Sequence, residues 1–111
     1  MPTTPAVLFE AKLAEGADTL QYSSDNCTTA IDKLTATNVT AGIVTITAYL
    51  VAPGGAVGAL NTITITKSVA PGIPYLFPEI VGHILAIGGS IWTKASAAAS
   101  IAIRGSGRKT T

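Results

Sequence analysis

His83 is the sole histidine of the chain, so any acid–base, nucleophilic or zinc chemistry that uses an imidazole has to pass through it. Glu79 lies four residues earlier and would share a helical face with it, which makes Glu79 and His83 the best proton-transfer pair on offer. Gly82 and the apolar residues on either side favour a packed turn over a general base. A catalytic metal centre needs several histidine or carboxylate ligands, and one histidine does not supply them. The remaining carboxylates are Glu10, Glu15, Asp18, Asp25 and Asp32, and no spacing among the six favours a glycosidase-like couple. Cys27 stands alone, with no partner for an internal disulfide or a metal, and reads as a small buried or half-buried hydrophobe. No cofactor is expected.

Other stretches mimic functional motifs. The glycine-rich PGGAVG could cradle a phosphate or merely reverse the chain. A phosphate loop requires GxxxxGK[ST] or GxGxxG with a helix N-terminus behind it, whereas here a β-branched run follows. The VAPG quartet occurs twice, at Val51–Gly54 and Val69–Gly72. Each places proline second and glycine third in a turn, the arrangement of type II. The loop turns the chain. NCT and NVT match the glycosylation acceptor pattern at Asn26 and Asn38, as chance produces in a threonine-rich sequence. The closing RGSGRKTT holds Arg104, Arg108 and Lys109, three of the seven cations. It reads as a tether for an acidic partner or as a solvated terminus.

The elements that must position these residues are strands. In Ile43–Val51, Val44, Ile46, Ala48 and Leu50 fall on one face, with Thr45, Thr47 and Tyr49 on the other. NTITITK repeats the pattern, which puts Ile63 and Ile65 inward and Thr62, Thr64 and Thr66 outward. SIAIR and Ser90–Ala95 follow suit, with Trp92 and Lys94 sharing a face opposite Ile91 and Ala95. Thr28–Asn38 is rich in strand formers, but Ile31 and Leu34 are three apart, and a bulge between them would restore the register. Thr19–Ser23 and Ile73–Phe77 complete the shorter runs, Pro74 placing the latter at a sheet edge. Pro78–Gly89 predicts at most two helical turns, with Ile80, Ile84 and Ile87 at helical spacing. With Ala6–Phe9 the count is eight short strands. That predicts an all-β, single-domain antiparallel sandwich of jelly-roll type spanning residues 1–111.

Bulk properties narrow the function. Length allows one domain that buries roughly two-thirds of its unfolded surface. The chain is 48% hydrophobic but only 12% charged and 5% aromatic, with a formal net charge of +1. No global field draws it to nucleic acid or to an anionic membrane. So lightly charged an exterior suits a protein packed against others. The opening MPTTPAVLFEAK lacks a basic start and a continuous apolar run, so no signal peptide is expected, and no run reaches a membrane span. The expectation is a soluble product made in a host cytoplasm.

TATNVTAGIVTITAYLVAPGGAVGALNTI, with LFPEIVGHILAIGGSIWTKASAAASIAIRGSG, resembles the small single-domain virion proteins of tailed bacteriophages. The closest pattern is that of the capsid decoration, cement or staple proteins of short-tailed phages of the epsilon15 type. The resemblance covers about Thr28 to Gly107. It implies a jelly roll bound in many copies outside the shell, clamping neighbouring major capsid subunits and self-associating as a dimer, with no catalytic residue. Similar chains also serve as tail or fibre components, some of them carbohydrate-binding. Locally, Thr4 as N-cap, Pro5 and Gly16 predict a helix over TPAVLFEAKLAEG. The resemblance implies instead an extended N-terminal arm, residues 1–9, opposite a short basic tail, residues 105–111. Extended termini clamp well. The capsid-contact candidates are therefore Pro2, Thr3, Phe9, Arg108 and Lys109, joined by Trp92 as an outward aromatic anchor.

Overall fold

The structure, a computed structural model, describes residues 3–111. Nine strands form it: β1 Thr3–Leu13, β2 Thr19–Ser23, β3 Thr28–Asn38, β4 Val44–Val51, β5 Thr62–Val69, β6 Pro74–Tyr75, β7 Ile84–Leu85, β8 Ser90–Ala95 and β9 Ile101–Thr110. Two antiparallel sheets stack face to face, β1-β9-β3-β6 with β7 also on β3, and β2-β8-β4-β5. The pairing partners nest. β1 lies against β9, β2 against β8, β3 against β6 and β7, and β4 against β5. The chain is thus one long antiparallel ribbon, rolled so that β3 also meets β9 and β4 meets β8. That winding is the jelly roll.

Side chains from both sheets fill the space between them. Ile31, Leu34, Ile101 and Ile103 come from one, and Val44, Ile46, Ile91 and Ala95 from the other. Phe77 and Ile80, at the β6–β7 turn, close one side of this core. The expected bulge in β3 is present. Register slips between Ile31 and Lys33, and this brings Ile31 and Leu34 to the same buried face. Both VAPG turns form as expected: Gly55 N–H donates to Ala52 O and Ile73 N–H to Ala70 O, with Gly54 and Gly72 at φ +74° and +75°.

Three expectations need correction. The N-terminal stretch is extended, as the resemblance implied, but it is not a free arm. It pairs along β9 from Thr3 to Leu13, and Pro5 is tolerated because β1 is an edge strand. Sheet pairing here overrides local helix propensity. The basic tail is likewise a strand: β9 runs to Thr110 between β1 and β3. In β5, which shifts register twice against β4, Ile63 packs against the core and Thr66 is exposed as expected, but Thr64 is buried and Ile65 is 72% exposed. Over Pro78–Gly89 a single turn forms, in which Ile80 and Val81 N–H both donate to Phe77 O. The chain then returns to strand as β7, and only Ile80 of the three periodic isoleucines enters the core.

Candidate interaction surfaces

The sheet of β1, β9 and β3 shows why the RGSGRK stretch needs its glycines. The bulge between Val7 and Phe9 lets consecutive Leu8 and Phe9 both point inward, each 8% exposed. The Phe9 ring then lies over Gly105, where an added Cβ would sit 2.6 Å from Cε1. At the β3 bulge, a Cβ on Gly107 would sit 2.1 Å from the Ala30 carbonyl oxygen. Neither position leaves room for a side chain. Phe9 is therefore a core residue, and its expected role as a contact anchor is corrected on that ground.

The other contact candidates reach the surface but are engaged at home. Thr3 Oγ1 meets Thr110 Oγ1 at 3.0 Å. Arg108 donates from Nε and Nη2 to the Asp32 carboxylate at 2.9 Å each, an exposed fork across β9 and β3. Lys109 Nζ stands 5.5 Å from the centre of the Tyr22 ring. Pro2 lies outside the described residues. Trp92 faces outward beside Lys94, half-buried, with Nε1 donating to Ser90 Oγ at 2.9 Å. Cross-strand register sets Leu20, Trp92, Tyr49 and Thr62 in one row over the second sheet. Burial, and then the Asp18 carboxylate, push the Tyr49 phenol up. Beside this row an open cleft of about 450 Å³ is lined by Thr45, Thr47, Tyr49, Ile65 and Lys94 among others.

Glu79 and His83 do not form the proton-transfer pair that their spacing offered, because the segment between them is not a regular helix. The Glu79 carboxylate instead accepts from Tyr75 Oη at 2.5 Å and from Thr64 Oγ1. Burial works against its charge, but the hydrogen bonds from Thr64 and Tyr75 and the nearby Lys67 outweigh it, so the carboxyl sits below its ordinary range. The Tyr75 phenol is pushed up to about 12, by burial first and then by Glu79. Lys67 stands 5.3 Å from the centre of the Tyr75 ring. The cluster joins β6 of one sheet to β5 of the other at the open side of the roll. His83 is exposed there, and its carbonyl accepts from Ile31 N–H at 2.9 Å.

Two further motifs resolve into structure. Asn38, the acceptor of the NVT match, is 1% exposed. Its Nδ2 donates to Gly42 O and Val69 O, and its Oδ1 accepts from Thr40 N–H and Oγ1. It pins the β3–β4 turn to the end of β5. Cys27 is buried beside Ser24, Thr29 and Tyr22, whose hydroxyls lie 3.6, 3.7 and 4.0 Å from Sγ. Hydrogen bonding from Ser24 first, against the opposing effect of burial, holds the thiol below its usual value. Among the described residues, no three His, Cys, Asp or Glu side chains group to hold a metal, and no helix is long and apolar enough to cross a membrane.

No family model matches the chain, and no curated protein matches it. Among solved structures it is similar to a chain in the structure of infectious bursal disease virus Gx strain, with a TM-score of 0.45 and 16% identity. The match covers 97% of this chain and 30% of that one, so this chain spans less than a third of that protein's length. At that level no function passes from one to the other.

Sequence reasoning missed the most distinctive surface. Leu60, Ile65, Ile73, Leu76, Val81, Ile84 and Ile87 are exposed, from 38% at Val81 to 99% at Leu60. All lie between Leu50 and Trp92, where Lys67 and Glu79 are the sole charged residues. A groove of about 330 Å³ opens on this part of the molecule, between Leu50, Pro53 and Ile63 on one wall and His83, Ile84 and Ala86 on the other. The signal was available in the sequence as a charge desert. It was hidden because strand alternation placed Ile65 inward and helical spacing grouped Ile84 and Ile87 with the buried Ile80.

Proposed function

We propose that this chain is a structural virion protein, a jelly-roll decoration module that binds the outer surface of a phage capsid and staples neighbouring major capsid subunits. The observation that carries the reading is the set of exposed aliphatic side chains between residues 50 and 92, a stretch with only two charged residues. Large aliphatic side chains left exposed in such number mark contact with another protein. The resemblance to phage decoration proteins supplies the partner, and the winding of the strands is one that viral capsid domains share. In this reading the ionisable side chains are structural: Glu79 ties sheet to sheet and Arg108 ties strand to strand, so the protein acts through what it touches. Copies repeated over a symmetric lattice turn modest contacts into a large total restraint on the packed shell.

Density-gradient purification of the phage that encodes the chain, followed by cryo-electron microscopy, tests this. Density of this fold on the outer shell, bridging capsid subunits, is expected. Its presence only in the tail, or its absence from the particle, defeats the reading. The hydroxyl-lined cleft beside Tyr49 favours a second reading, a carbohydrate-binding tail or fibre module. A glycan array that returns a defined sugar would support it over the first.

A further inference from the structure

We propose that the open cleft over β4, β5 and β8 is a socket for an acidic peptide, seating one Asp or Glu carboxylate of a partner protein with an aliphatic neighbour of that residue against Ile65. Three side chains that line the cleft supply donors. Lys94 is exposed and forms no ion pair among the described residues, whereas Lys12, Arg104 and Arg108 are each paired. Thr47, its cross-strand partner, accepts at Oγ1 from Thr66 N–H at 2.9 Å. Ser96 accepts at Oγ from Thr45 N–H at 3.0 Å. A backbone donor thus engages each hydroxyl as an acceptor. Among the described residues neither O–H is given to an acceptor of this chain, so both are left for a ligand. The backbone is bent around this arrangement. Thr66 stands at φ +40°, in the left-handed region that β-branched residues rarely enter, and from there its N–H reaches Thr47.

Charge then selects the ligand. One ammonium and two hydroxyl donors line the cleft, and no carboxylate does. The Asp18 carboxylate acts on the Tyr49 phenol instead. A carboxylate accepts from all three donors, and its bond to the ammonium is charge-assisted. Ile65, 72% exposed and also lining the cleft, decides what flanks it, because an aliphatic side chain next in a peptide can cover that surface. A sugar fits less well. Its ring stacks on an open aromatic face, whereas Tyr49 is only 9% exposed and Trp92 does not line the cleft. Apart from Ile65, the socket shares no residue with the exposed aliphatic set on which the virion reading rests, so the two can fail separately.

Amide chemical shifts of the isotope-labelled chain, followed by NMR during titration, test the proposal. The probes are the capped peptide acetyl-Ile-Glu-Ile-amide, its glutamine counterpart and glucuronic acid. The acidic peptide is expected to move the amide signals of Thr47, Thr66, Lys94 and Ser96 with roughly millimolar affinity at low salt, and to bind more weakly as salt is raised. The glutamine peptide, and separately Lys94→Gln, are each expected to lower that affinity about tenfold or more through loss of a charge-assisted hydrogen bond. Lys94 is exposed, so its variant keeps the fold, which the dispersion of the spectrum checks. Lys33→Gln removes another exposed, unpaired lysine from β3 of the opposite sheet and is expected to change nothing. No shift at these amides well above millimolar peptide overturns the proposal. So does a response that the glutamine peptide or Lys94→Gln reproduces in full, or one that Lys33→Gln weakens as much as Lys94→Gln. Tighter binding of glucuronic acid than of the acidic peptide overturns it as well, and passes the cleft to the sugar reading.

Discussion

Two regions of this molecule handle their side chains in opposite ways. Along β1, β3 and β9 most apolar groups go in, as Phe9, Ile31, Leu34 and Ile103, with Val7 and Leu13 of β1 left partly exposed, and the charges stay outside, where Arg108 forks onto Asp32 and Arg104 stands 3.8 Å from Glu10. Between Leu50 and Trp92 seven large aliphatics stay exposed although Val51, Val69, Ile80, Leu85 and Ile91 are buried, and of the two charges Glu79 hydrogen-bonds to Tyr75 while Lys67 stands over the Tyr75 ring. The first region behaves as the stable frame. The second leaves its apolar surface uncovered, which costs solvation unless a partner covers it. The comparison teaches that stability and contact are assigned here to different parts of one short chain.

Paired glycine substitutions probe this division most severely. Gly107→Ala places a methyl 2.1 Å from the Ala30 carbonyl, on backbone that the β3 bulge holds in place. The strands must separate, and a loss above about 4 kcal/mol is expected, enough to remove most of a small domain's stability. Gly58→Ala meets nothing within 4 Å, at a φ of −177°. A change within about 0.5 kcal/mol is expected there. Chemical denaturation of both variants decides. Equal losses would mean that the frame and the contact region are not distinct.

A middle-sized effect is expected where the two regions meet, at Glu79. Its folded pKa lies below the ordinary carboxylate value, so the unfolded chain binds its proton first as the pH falls. The stabilisation is therefore complete above the ordinary carboxylate pKa and is lost as pH drops through the folded one. Glu79→Gln keeps the shape but weakens two charge-assisted hydrogen bonds, for an expected loss of about 1–3 kcal/mol at neutral pH. Stability measured against pH should show an acid limb that is shallower in Glu79→Gln than in the wild type. Parallel curves would remove Glu79 as the link between the sheets.

Most of the frame was legible in the sequence, and its reasons are local. Alternation in Val44–Val51 and the proline–glycine order of VAPG are read by neighbouring residues, so a pattern of two to four residues suffices. The β3 bulge was also legible, because Ile31 and Leu34 conflict with a regular strand and one extra residue resolves it. What failed depends on the other strand. Nothing in RGSGRK says that Phe9, almost a hundred residues away, needs Gly105 beneath its ring. In β5 Thr64 and Ile65 exchange their expected faces where the strand slips against β4, and a perfect TITIT alternation conceals that. The site suffered most: Glu79 and His83 were matched by helical spacing that the chain abandons after one turn. The resemblance, by contrast, corrected the helix expected at Thr4–Gly16 without supplying a physical reason, which came only with the β1–β9 pairing.

The smallest expected effect concerns Arg108, which sequence reading offered as a capsid contact in a stretch that is either a tether for an acidic partner or a solvated terminus. In the sheet its guanidinium already grips Asp32, with both side chains about half exposed. Water and salt screen such a pair, so its coupling should be small even with two-point geometry and should shrink further at high salt. A double-mutant cycle over Arg108→Ala and Asp32→Ala, read by thermal unfolding at low and high salt, measures that coupling. It also sharpens the comparison of regions, because the two roles predict different responses to Asp32→Ala alone. If Arg108 serves the partner, removing Asp32 frees a cation and should strengthen particle binding at low salt. If Arg108 only joins β9 to β3, particle binding should not change, and only the small stability coupling should disappear. A gain in binding on removing Asp32 would return part of the contact to the charged frame and break the division between the two regions.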